Sequence, residues 1–328
     1  MNSNEPRKAL ICGVNGQDGA YLAKFLLDKG YAVFGTSRDA QASSFQNLRT
    51  LGIFESVVKL SMVPADFNSV IKAIISANAD EIYYLAGQSS VGLSFDQPAE
   101  TLTSVTLGTL NVLEAIRIEK ITTKFYHASS SECFGDLGEQ IADENVPFKP
   151  CSPYGIAKAA AHALVVNYRK GYRLFGCNGI LFNHESPLRP PYFVTRKIAD
   201  AVCSIKAGSK ERLVLGNLDV VRDWGWAPEY VEAMWRMLQA SHPDDYIIAT
   251  GESHSLKEFV AATFAVAGLD WRAYVDFDRT LGRPQEIKQS SGNPAKAARD
   301  LGWRAHFKML DVVKLLVEEL SSTRFRSF

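Results

Sequence analysis

The chain has 328 residues, of which 46% are hydrophobic and 22% are charged, a composition that excludes an intrinsically disordered protein. This length is enough for one large domain or about two ordinary domains. With 36 basic and 36 acidic side chains the formal net charge is +0, which argues against a broad nucleic-acid or anionic-membrane surface. Any anionic ligand must be held by a local cluster of donors.

The cysteines and the apolar runs indicate the cellular compartment of the protein. The five cysteines are scattered and never in CxxC spacing, which argues against a disulfide framework or a zinc site. The N-terminal MNSNEPRKALICGV has only a strand-length apolar run, and no other apolar stretch is long enough to cross a membrane. We expect a cytoplasmic protein without a bound metal.

Strand-like apolar runs alternate with amphipathic helical patterns through the first half of the chain. The order is KALICGV, GAYLAKFLLDKG, YAVFGTSR, VVKLSM, NSVIKAIISANA, EIYYLA, TLTSVTLGTLNVLEAIRI and TKFYHASS. Continuous apolar strands separated by such helices indicate a parallel sheet covered on both faces. The predicted fold class is α/β, a Rossmann-type doubly wound parallel sheet.

The pattern loosens in the second half. A long helix is predicted at SPYGIAKAAAHALVVNYRKGY and a strand at CNGILFN, followed by the Pro-rich SPLRPPYF and further helical stretches. We predict a dinucleotide-binding domain over residues 1–184. Residues 185–328 are predicted to form mainly a smaller α/β substrate-binding region, partly interleaved with the first domain.

Three glycines of GVNGQDG lie three residues apart, between the first predicted strand and the first predicted helix. Glycine allows a tight turn and a close backbone approach to a pyrophosphate at the positive end of a helix. The GxxGxxG spacing resembles the extended branch of the short-chain dehydrogenase/reductase superfamily. The predicted cofactor contacts here and after EIYY are Gly13, Asn15, Gly16, Gln17, Asp18, Gly19, Leu85 and Ala86.

The end of the second strand bears on the choice between NAD and NADP. An acidic residue there takes the ribose hydroxyls of NAD, while an arginine accommodates the 2'-phosphate of NADP. The stretch GTSRDAQASS offers both Arg38 and Asp39, and the alternative is that both are solvated loop charges. We favour NADP bound through Arg38, with NAD left possible.

The YxxxK spacing in SPYGIAK places Tyr154 and Lys158 one turn apart on a helix face, after a strand that ends ASSSE. With a nicotinamide ribose between them, the lysine charge is expected to lower the pKa of the phenol, which can then exchange a proton with a sugar hydroxyl. We predict that both residues are catalytic and contact the cofactor, and that Ser130 hydrogen-bonds the substrate oxygen that becomes a carbonyl.

Glu132 raises a separate question, because a dehydrogenase or simple epimerase needs no further base. Two residues beyond Ser130 on an extended strand, its side chain would point to the same side. Once C4 of a hexose is a ketone, the C5 proton becomes acidic, and a carboxylate can remove it while hydroxide leaves C6. The alternative is that Glu132 caps a turn or pairs with an arginine.

Over essentially its full length the chain resembles the GDP-mannose 4,6-dehydratase family. The most specific matches are GILFNHESP, FVTRKI and RDWG, beside GVNGQDGAYLAKFLLDKGY, AGQSSVGLSFDQP, SSSE, SPYGIAK and GNPAKAARDLGW. The resemblance implies that Ser130, where threonine is usual, Glu132, Tyr154 and Lys158 are the catalytic residues. It also implies contacts with the GDP-sugar from Ser90, Asn183, Glu185, Lys197, Arg222, Arg283 and Glu286.

Three stretches depart from the family pattern. SRDAQASS replaces paired arginines and serines that bind the 2'-phosphate and help to build a tetramer, and Val63 replaces an aspartate expected at the adenine amino group. LRPPY replaces an Arg-Gly after SP. The substrate therefore stays open among GDP-mannose, another GDP-hexose and a GDP-heptose, and the assembly stays open between homodimer and homotetramer.

The resemblance implies a lyase that converts GDP-mannose, or a close GDP-sugar, to the 4-keto-6-deoxy sugar nucleotide by internal hydride transfer and loss of water. One alternative is a nucleotide-sugar reductase or epimerase that uses Ser130, Tyr154 and Lys158 alone. Another is a non-catalytic cofactor-binding protein. The expected partner is a small molecule, not a nucleic acid or a membrane.

Overall fold

The structure is a computed structural model that describes residues 5–325. Its strands, in chain order, are β1 (Lys8–Cys12), β2 (Ala32–Ser37), β3 (Val57–Ser61), β4 (Glu81–Tyr84), β5 (Lys124–Ser130), β6 (Phe175–Leu181), β7 (Asn183–Glu185), β8 (Leu213–Leu215), β9 (Val221–Arg222), β10 (Trp224–Trp226), β11 (Asp245–Ile248), β12 (His254–Ser255), β13 (Val275–Phe277) and β14 (Gln289–Ser290).

The α-helices within the same range are α1 (Gln17–Asp28), α2 (Gln46–Thr50), α3 (Phe67–Ala77), α4 (Val91–Asp96), α5 (Pro98–Leu102), α6 (Gly108–Ile118), α7 (Pro153–Tyr172), α8 (Val194–Lys206), α9 (Ala227–Gln239), α10 (Leu256–Val266), α11 (Ala295–Asp300) and α12 (Met309–Phe325). Short 3₁₀ turns connect several elements. No helix in the described part of the chain is both long enough and apolar enough to cross a membrane.

The main sheet has seven strands in the order β11-β6-β5-β4-β1-β2-β3, and every neighbouring pair is parallel. The strand order reverses between β1 and β4, which is where ligands bind in sheets of this kind. The predicted doubly wound Rossmann-type sheet is confirmed.

Each face of this sheet is covered by helices. One core lies between the sheet and α1 and α9, and it includes Leu22, Leu26, Tyr83, Tyr230 and Met234. The opposite core lies between the sheet and α3, α6 and α7. The chain therefore returns to the first sheet after residue 184, since α9 and β11 complete it.

The remaining second half forms a smaller α/β lobe around its own core. Helices α8, α10 and α12 pack together there, with Trp224, Phe259 and Phe264 fully buried among them. Small sheets, β12-β9-β14 and β13-β8, lie beside these helices. Arg222 at the end of β9 is thereby presented from this lobe.

One predicted helix differs in detail. TLTSVTLGTLNVLEAIRI is divided into the end of α5, a π-helical turn over Thr103–Leu107, and α6. In this turn Thr106 Oγ1 donates to the Ala157 carbonyl of α7 at 2.9 Å, while Tyr84 Oη donates to the Ser104 carbonyl at 2.8 Å. The turn thus packs between β4 and the helix that carries Tyr154.

Candidate active site

The glycine loop between β1 and α1 leaves room for a pyrophosphate. Gly13 has a φ of +89°, and a Cβ there would lie 3.0 Å from the Ala86 Cα. A Cβ on Gly19 would lie 2.4 Å from the Gly13 carbonyl oxygen. Because the N-cap residue Gly16 has no side chain, the first N–H groups of α1 remain available to an anion. The loop, with the chain after β4 against it, fits the pyrophosphate of a dinucleotide.

Two predicted cofactor residues of this loop turn their side chains toward the segment around β7. Ser186 Oγ donates to Gln17 Oε1 at 2.8 Å, and Asp18 Oδ2 lies 2.9 Å from His184 Nε2. Burial opposes ionisation of Asp18, but the charge and hydrogen bond of His184 outweigh it, so the pKa of Asp18 is lowered. A third predicted contact, Asn15, accepts a hydrogen bond through its backbone carbonyl oxygen from Asn47 Nδ2 at 2.9 Å.

His184 and Arg189 were not predicted as site residues, although His184 lies in GILFNHESP, which carried the family resemblance, and Arg189 lies in LRPPY directly after it. Arg189 Nη1 donates to the His184 carbonyl at 3.2 Å, and Arg189 Nε lies 3.0 Å from Glu185 Oε2. The charge of Arg189 lowers the pKa of Asp18 and, in part, that of Tyr154. A cation close to both the glycine loop and the phenol could have been found only by knowing how the chain folds.

Arg38 and Asp39 lie just beyond β2 in different roles. Asp39 Oδ1 accepts from the backbone N–H of Gln41 at 2.8 Å and of Ala42 at 3.1 Å, and these bonds lower the pKa of Asp39. Its carboxylate therefore closes a local turn. The Arg38 side chain is exposed at the strand end.

Beyond β3, Val63 occupies the position where an aspartate was expected. Its backbone N–H donates to Ser69 Oγ at 2.9 Å, and its side chain is 40% exposed. An exposed apolar side chain can pack on a purine face but cannot accept a hydrogen bond from its amino group.

Glu132 does not lie on an extended strand, so the basis of its predicted orientation was wrong. Strand β5 ends at Ser130, and Ser131–Cys133 forms a 3₁₀ turn. Ser130 Oγ caps this turn by accepting from the Glu132 N–H at 3.2 Å. The turn, not the alternation of a strand, sets the direction of the carboxylate.

The carboxyl of Glu132 is in an environment suited to proton transfer. Burial raises its pKa, Arg283 and then Arg222 lower it, and Glu286 raises it again, with a net increase. A carboxyl group with an elevated pKa holds and releases a proton closer to neutral pH than an exposed one. The charge of Glu132 also contributes to the raised pKa of Tyr154, so the two groups are linked electrostatically.

Tyr154 and Lys158 lie in the first turns of α7, which is fixed at its start. Ser152 Oγ accepts from the Gly155 N–H at 3.0 Å, and Pro153 occupies the first helical position. Lys158 Nζ donates to the Ala128 carbonyl of β5 at 2.7 Å and lies 5.7 Å from the centroid of the Tyr154 ring. The helix start thus holds both side chains at the end of β5.

The electrostatics of this pair differ in part from the expectation. Burial raises the pKa of Tyr154, whereas a hydrogen bond with Ser130 lowers it, and the increase prevails. Burial also lowers the pKa of Lys158 to about 8. Lys158 alone therefore does not bring the phenol of Tyr154 near neutrality in this structure.

Three predicted substrate residues form one ion-pair cluster next to Glu132. Glu286 Oε1 accepts from Arg222 Nη2 at 2.9 Å and from Arg283 Nη1 at 3.3 Å. Arg222 is only 7% exposed. The small lobe thus presents two guanidinium groups to the tip of β5, as a bound diphosphate would require.

The other predicted substrate residues are more dispersed. Glu185 is buried and accepts from Thr195 Oγ1 at 2.6 Å, so its carboxylate links β7 to α8. Lys197 Nζ donates to the Val214 carbonyl at 2.8 Å beside a pocket of about 260 Å³. Ser90 caps α4 by accepting from the Leu93 N–H at 3.2 Å. Asn183 begins β7, opposite Trp224 of β10.

Comparison with known proteins agrees with this geometry. The sequence profile described as GDP-mannose 4,6 dehydratase matches residues 10–316. "GDP-mannose 4,6 dehydratase 2" of Arabidopsis thaliana is 46% identical over 328 residues, covering 96% of this chain and 87% of that protein.

Solved structures share the fold at lower identity. A dTDP-glucose 4,6-dehydratase from Streptomyces venezuelae with NAD bound has a TM-score of 0.87 at 19% identity, covering 97% of this chain and 98% of that one. RMD from Pseudomonas aeruginosa in complex with NADPH has a TM-score of 0.79 at 22% identity, covering 96% and 99%. On its sequence matches, this chain belongs to the GDP-mannose 4,6-dehydratase family.

Proposed function

We propose that the protein is a hydro-lyase that converts GDP-mannose, or a close GDP-sugar, to the 4-keto-6-deoxy sugar nucleotide. The observation that carries this proposal is the position of Glu132. A partly buried carboxyl with a raised pKa lies beside the Ser130, Tyr154 and Lys158 set, where a simple reductase or epimerase needs no such group.

Tyr154 and Ser130 act on the C4 oxygen. Tyr154 accepts the O4 proton, and the hydroxyl of Ser130 steadies the same oxygen as it becomes a carbonyl. The ammonium group of Lys158, anchored to the Ala128 carbonyl, supplies positive charge beside the phenol. The glycine loop and Arg38 would hold NADP, which would supply an acceptor for the C4 hydride and a donor of that hydride to C6.

Glu132 carries the elimination. Its carboxylate removes the C5 proton, which the neighbouring C4 carbonyl makes acidic, and passes a proton to the departing O6, so that the oxygen leaves as water. Tyr154 then releases the O4 proton to solvent, and C5 takes up a proton from solvent. Two protons are thus removed from the sugar and two are delivered, and the cofactor is unchanged at the end of each cycle.

The small lobe is proposed to hold the GDP moiety. Arg222 and Arg283 have the charge and planar donor geometry to bind the diphosphate. Lys197 lines the pocket between α8 and β8, and Ser90, Asn183, Glu185 and Glu286 remain predicted contacts of the substrate. The division at residue 184 into a dinucleotide lobe and a nucleotide-sugar lobe also stays a proposal.

NADP is the cofactor that this chain's residues favour. The carboxylate of Asp39 is occupied by its own turn, whereas Arg38 is exposed at the end of β2, where a 2'-phosphate is read. One of the fold's solved relatives carries NADPH and another carries NAD. Selectivity should therefore depend mainly on Arg38.

A homodimer or homotetramer in the cytoplasm completes the proposal. Leu102, Leu107 and Ile156 are 40%, 39% and 49% exposed on helical segments that pack side by side, and such an apolar surface suits a second copy. All five cysteines are free thiols, as expected in a reducing compartment.

The activity can be tested by mass. The purified protein, incubated with GDP-mannose and a catalytic amount of NADP⁺, should yield a product lighter by one water, with no net change in cofactor absorbance. A product that keeps its C6 hydroxyl, or stoichiometric cofactor consumption, would instead assign a reductase or epimerase.

A further inference from the structure

Four charged side chains meet where the small lobe faces the tip of β5, and one of them is the proposed general base. A single carboxylate oxygen of Glu286 accepts from both Arg222 and Arg283, at 2.9 and 3.3 Å. The charges of both guanidinium groups also act on the carboxyl of Glu132. The two arginines therefore influence two carboxylates, one by direct hydrogen bonds and one by charge.

The backbone holds the two sides of this cluster together. Arg222 belongs to β9, which pairs with β14. The chain just after β14 is bonded to the loop that follows Glu132. The Ala142 N–H donates to the Ser291 carbonyl at 2.9 Å, and the Asn293 N–H donates to the Ala142 carbonyl at 2.9 Å. The sheet that presents Arg222 is thus hydrogen-bonded to the chain at Ala142, ten residues beyond Glu132.

Burial and the two arginines act on Glu132 in opposite directions. Burial raises the pKa of the carboxyl, whereas Arg283 and Arg222 lower it. The influence is mutual, because Glu132 and Glu286 raise the pKa of Arg222 while burial lowers it. The basicity of Glu132 therefore depends on where the guanidinium groups are directed.

Other titratable groups near Glu132 carry little charge to oppose the effect of the two arginines on its pKa. They are Cys133 in its own turn, Cys151 before α7, and Tyr154 on α7, and each has a pKa raised first of all by burial. All three are uncharged near neutral pH. The arginines and Glu286 thus provide the charges that set the protonation of Glu132.

Under the proposed function, on which this inference rests, both arginines bind the diphosphate of the substrate. Its negative oxygens offer the guanidinium groups more complementary acceptors than one shared carboxylate oxygen. We propose that a bound diphosphate draws Arg222 and Arg283 away from Glu286 and offsets their positive charge, so that substrate binding itself raises the proton affinity of the general base, Glu132. Glu132 is then the stronger base when a C5 proton is present to be removed.

Proton uptake on nucleotide binding tests this coupling without turnover. The probe is the β-methyl ester of GDP, which keeps the diphosphate charges, has no phosphate group that titrates near neutral pH and contains no sugar. Calorimetric titration of the holoenzyme in buffers of different ionisation enthalpy gives the protons taken up per bound nucleotide. A pKa increase of about one unit gives a maximum uptake of about half a proton, midway between the two pKa values.

Three variants separate the contributions of Glu132 and Arg283 to nucleotide binding and proton uptake. Glu132→Gln removes the titrating group, so it should bind the probe and lose the uptake. Arg283→Gln should weaken binding by roughly 10-fold and reduce the uptake, because one charge-assisted contact is lost. Arg299→Gln removes an exposed guanidinium that pairs with Asp300 far along the chain, and it should change neither quantity.

The outcomes are distinct. Uptake that disappears in Glu132→Gln and shrinks in Arg283→Gln is the expected result. Binding with equal proton uptake by the wild-type enzyme and Glu132→Gln would overturn the coupling and leave the proposed function intact. Failure of the wild-type holoenzyme to bind the probe would contradict the GDP assignment and the coupling together.

Discussion

At the scale of single residues, Glu132 shows how a side chain type can be predicted while its placement is not. The sequence predicted a carboxylate just beyond the end of a strand, and removal of the C5 proton explained why one is needed there. Its direction comes from the 3₁₀ turn that Ser130 caps, and its pKa comes from burial together with Arg283 and Arg222. Those arginines lie about 90 and 150 residues along the chain, beyond the reach of local patterns.

Lys158 is expected to lower stability in exchange for its role at the site. Its pKa falls from 10.5 to about 8 on folding, so at pH 7 burial of the ammonium costs about 3 kcal/mol, and Lys158→Met should raise the free energy of unfolding by roughly 1–3 kcal/mol. This gain should be full below pH 8 and vanish as pH rises toward 10.5, because the unfolded lysine then also becomes neutral.

Chemical denaturation at pH 7 and pH 10 measures this effect, and turnover should be lost at both values. Lys257→Met serves as the control because Lys257 is exposed on α10. Unchanged or reduced stability of Lys158→Met at pH 7, with the control unchanged, would show that the buried ammonium is not a cost to the fold.

Arg38 is expected to read the 2'-phosphate. Loss of a charge-assisted contact of about 1.5–3 kcal/mol in Arg38→Ala should weaken NADP binding by roughly 10- to 100-fold and leave NAD binding nearly unchanged. Fluorescence titration of both cofactors measures this, with Arg272→Ala, an exposed arginine paired with Asp270, as the control. Equal weakening of both cofactors would remove Arg38 from that role.

At the scale of elements, apolar patterns made β1 to β6 of the main sheet and most of its helices predictable. The π-helical turn at Thr103–Leu107 was missed because one extra residue barely alters an apolar pattern. The sequence also did not show that the chain returns to the first sheet through α9 and β11. The contacts of α9 with α1 and of β11 with β6 join segments far apart in the chain.

Helix α7 offers a test of how its cap serves the site. Ser152 caps α7, whereas Ser255 caps α10 with a reciprocal bond from Glu258, far from the proposed chemistry. Ser152→Ala and Ser255→Ala should each lower the free energy of unfolding by about 1 kcal/mol. Only Ser152→Ala should also reduce kcat, because α7 positions Tyr154 and Lys158. Equal kcat values for the two variants would show that the cap has no catalytic consequence.

At the scale of the whole molecule, the two lobes bring together groups that neither contains alone. The glycine loop and the helix that carries Tyr154 belong to the lobe built on the main sheet, whereas Arg222, Arg283 and Glu286 come from the small lobe. The family and the fold followed from motif order in the sequence. Contacts between segments far apart in the chain, such as Asp18 with His184 and Ala142 with Ser291, required the structure.

Assembly should depend on the exposed apolar side chains of α5 and the π-helical turn. The double variant Leu102→Glu and Leu107→Glu should convert a dimer or tetramer to smaller species, approaching the 36.2 kDa of one chain, because buried carboxylates disfavour the interface. Light scattering after size-exclusion chromatography measures the mass. Leu310→Glu, 63% exposed on α12, is the control, and an unchanged mass in the double variant would place the interface elsewhere.

The central claim is that Glu132 performs the proton transfers of a 4,6-dehydration. The most direct measurement is the reaction of GDP-mannose with the enzyme and catalytic NADP⁺ in deuterated water, followed by mass spectrometry and NMR of the sugar. The wild-type enzyme should give a 4-ketone with one deuterium at C5 and no C6 hydroxyl, and Glu132→Gln should lower turnover by about 10²–10⁴-fold. Near-normal deuterated product from Glu132→Gln, or a product that keeps its C6 hydroxyl, would contradict it.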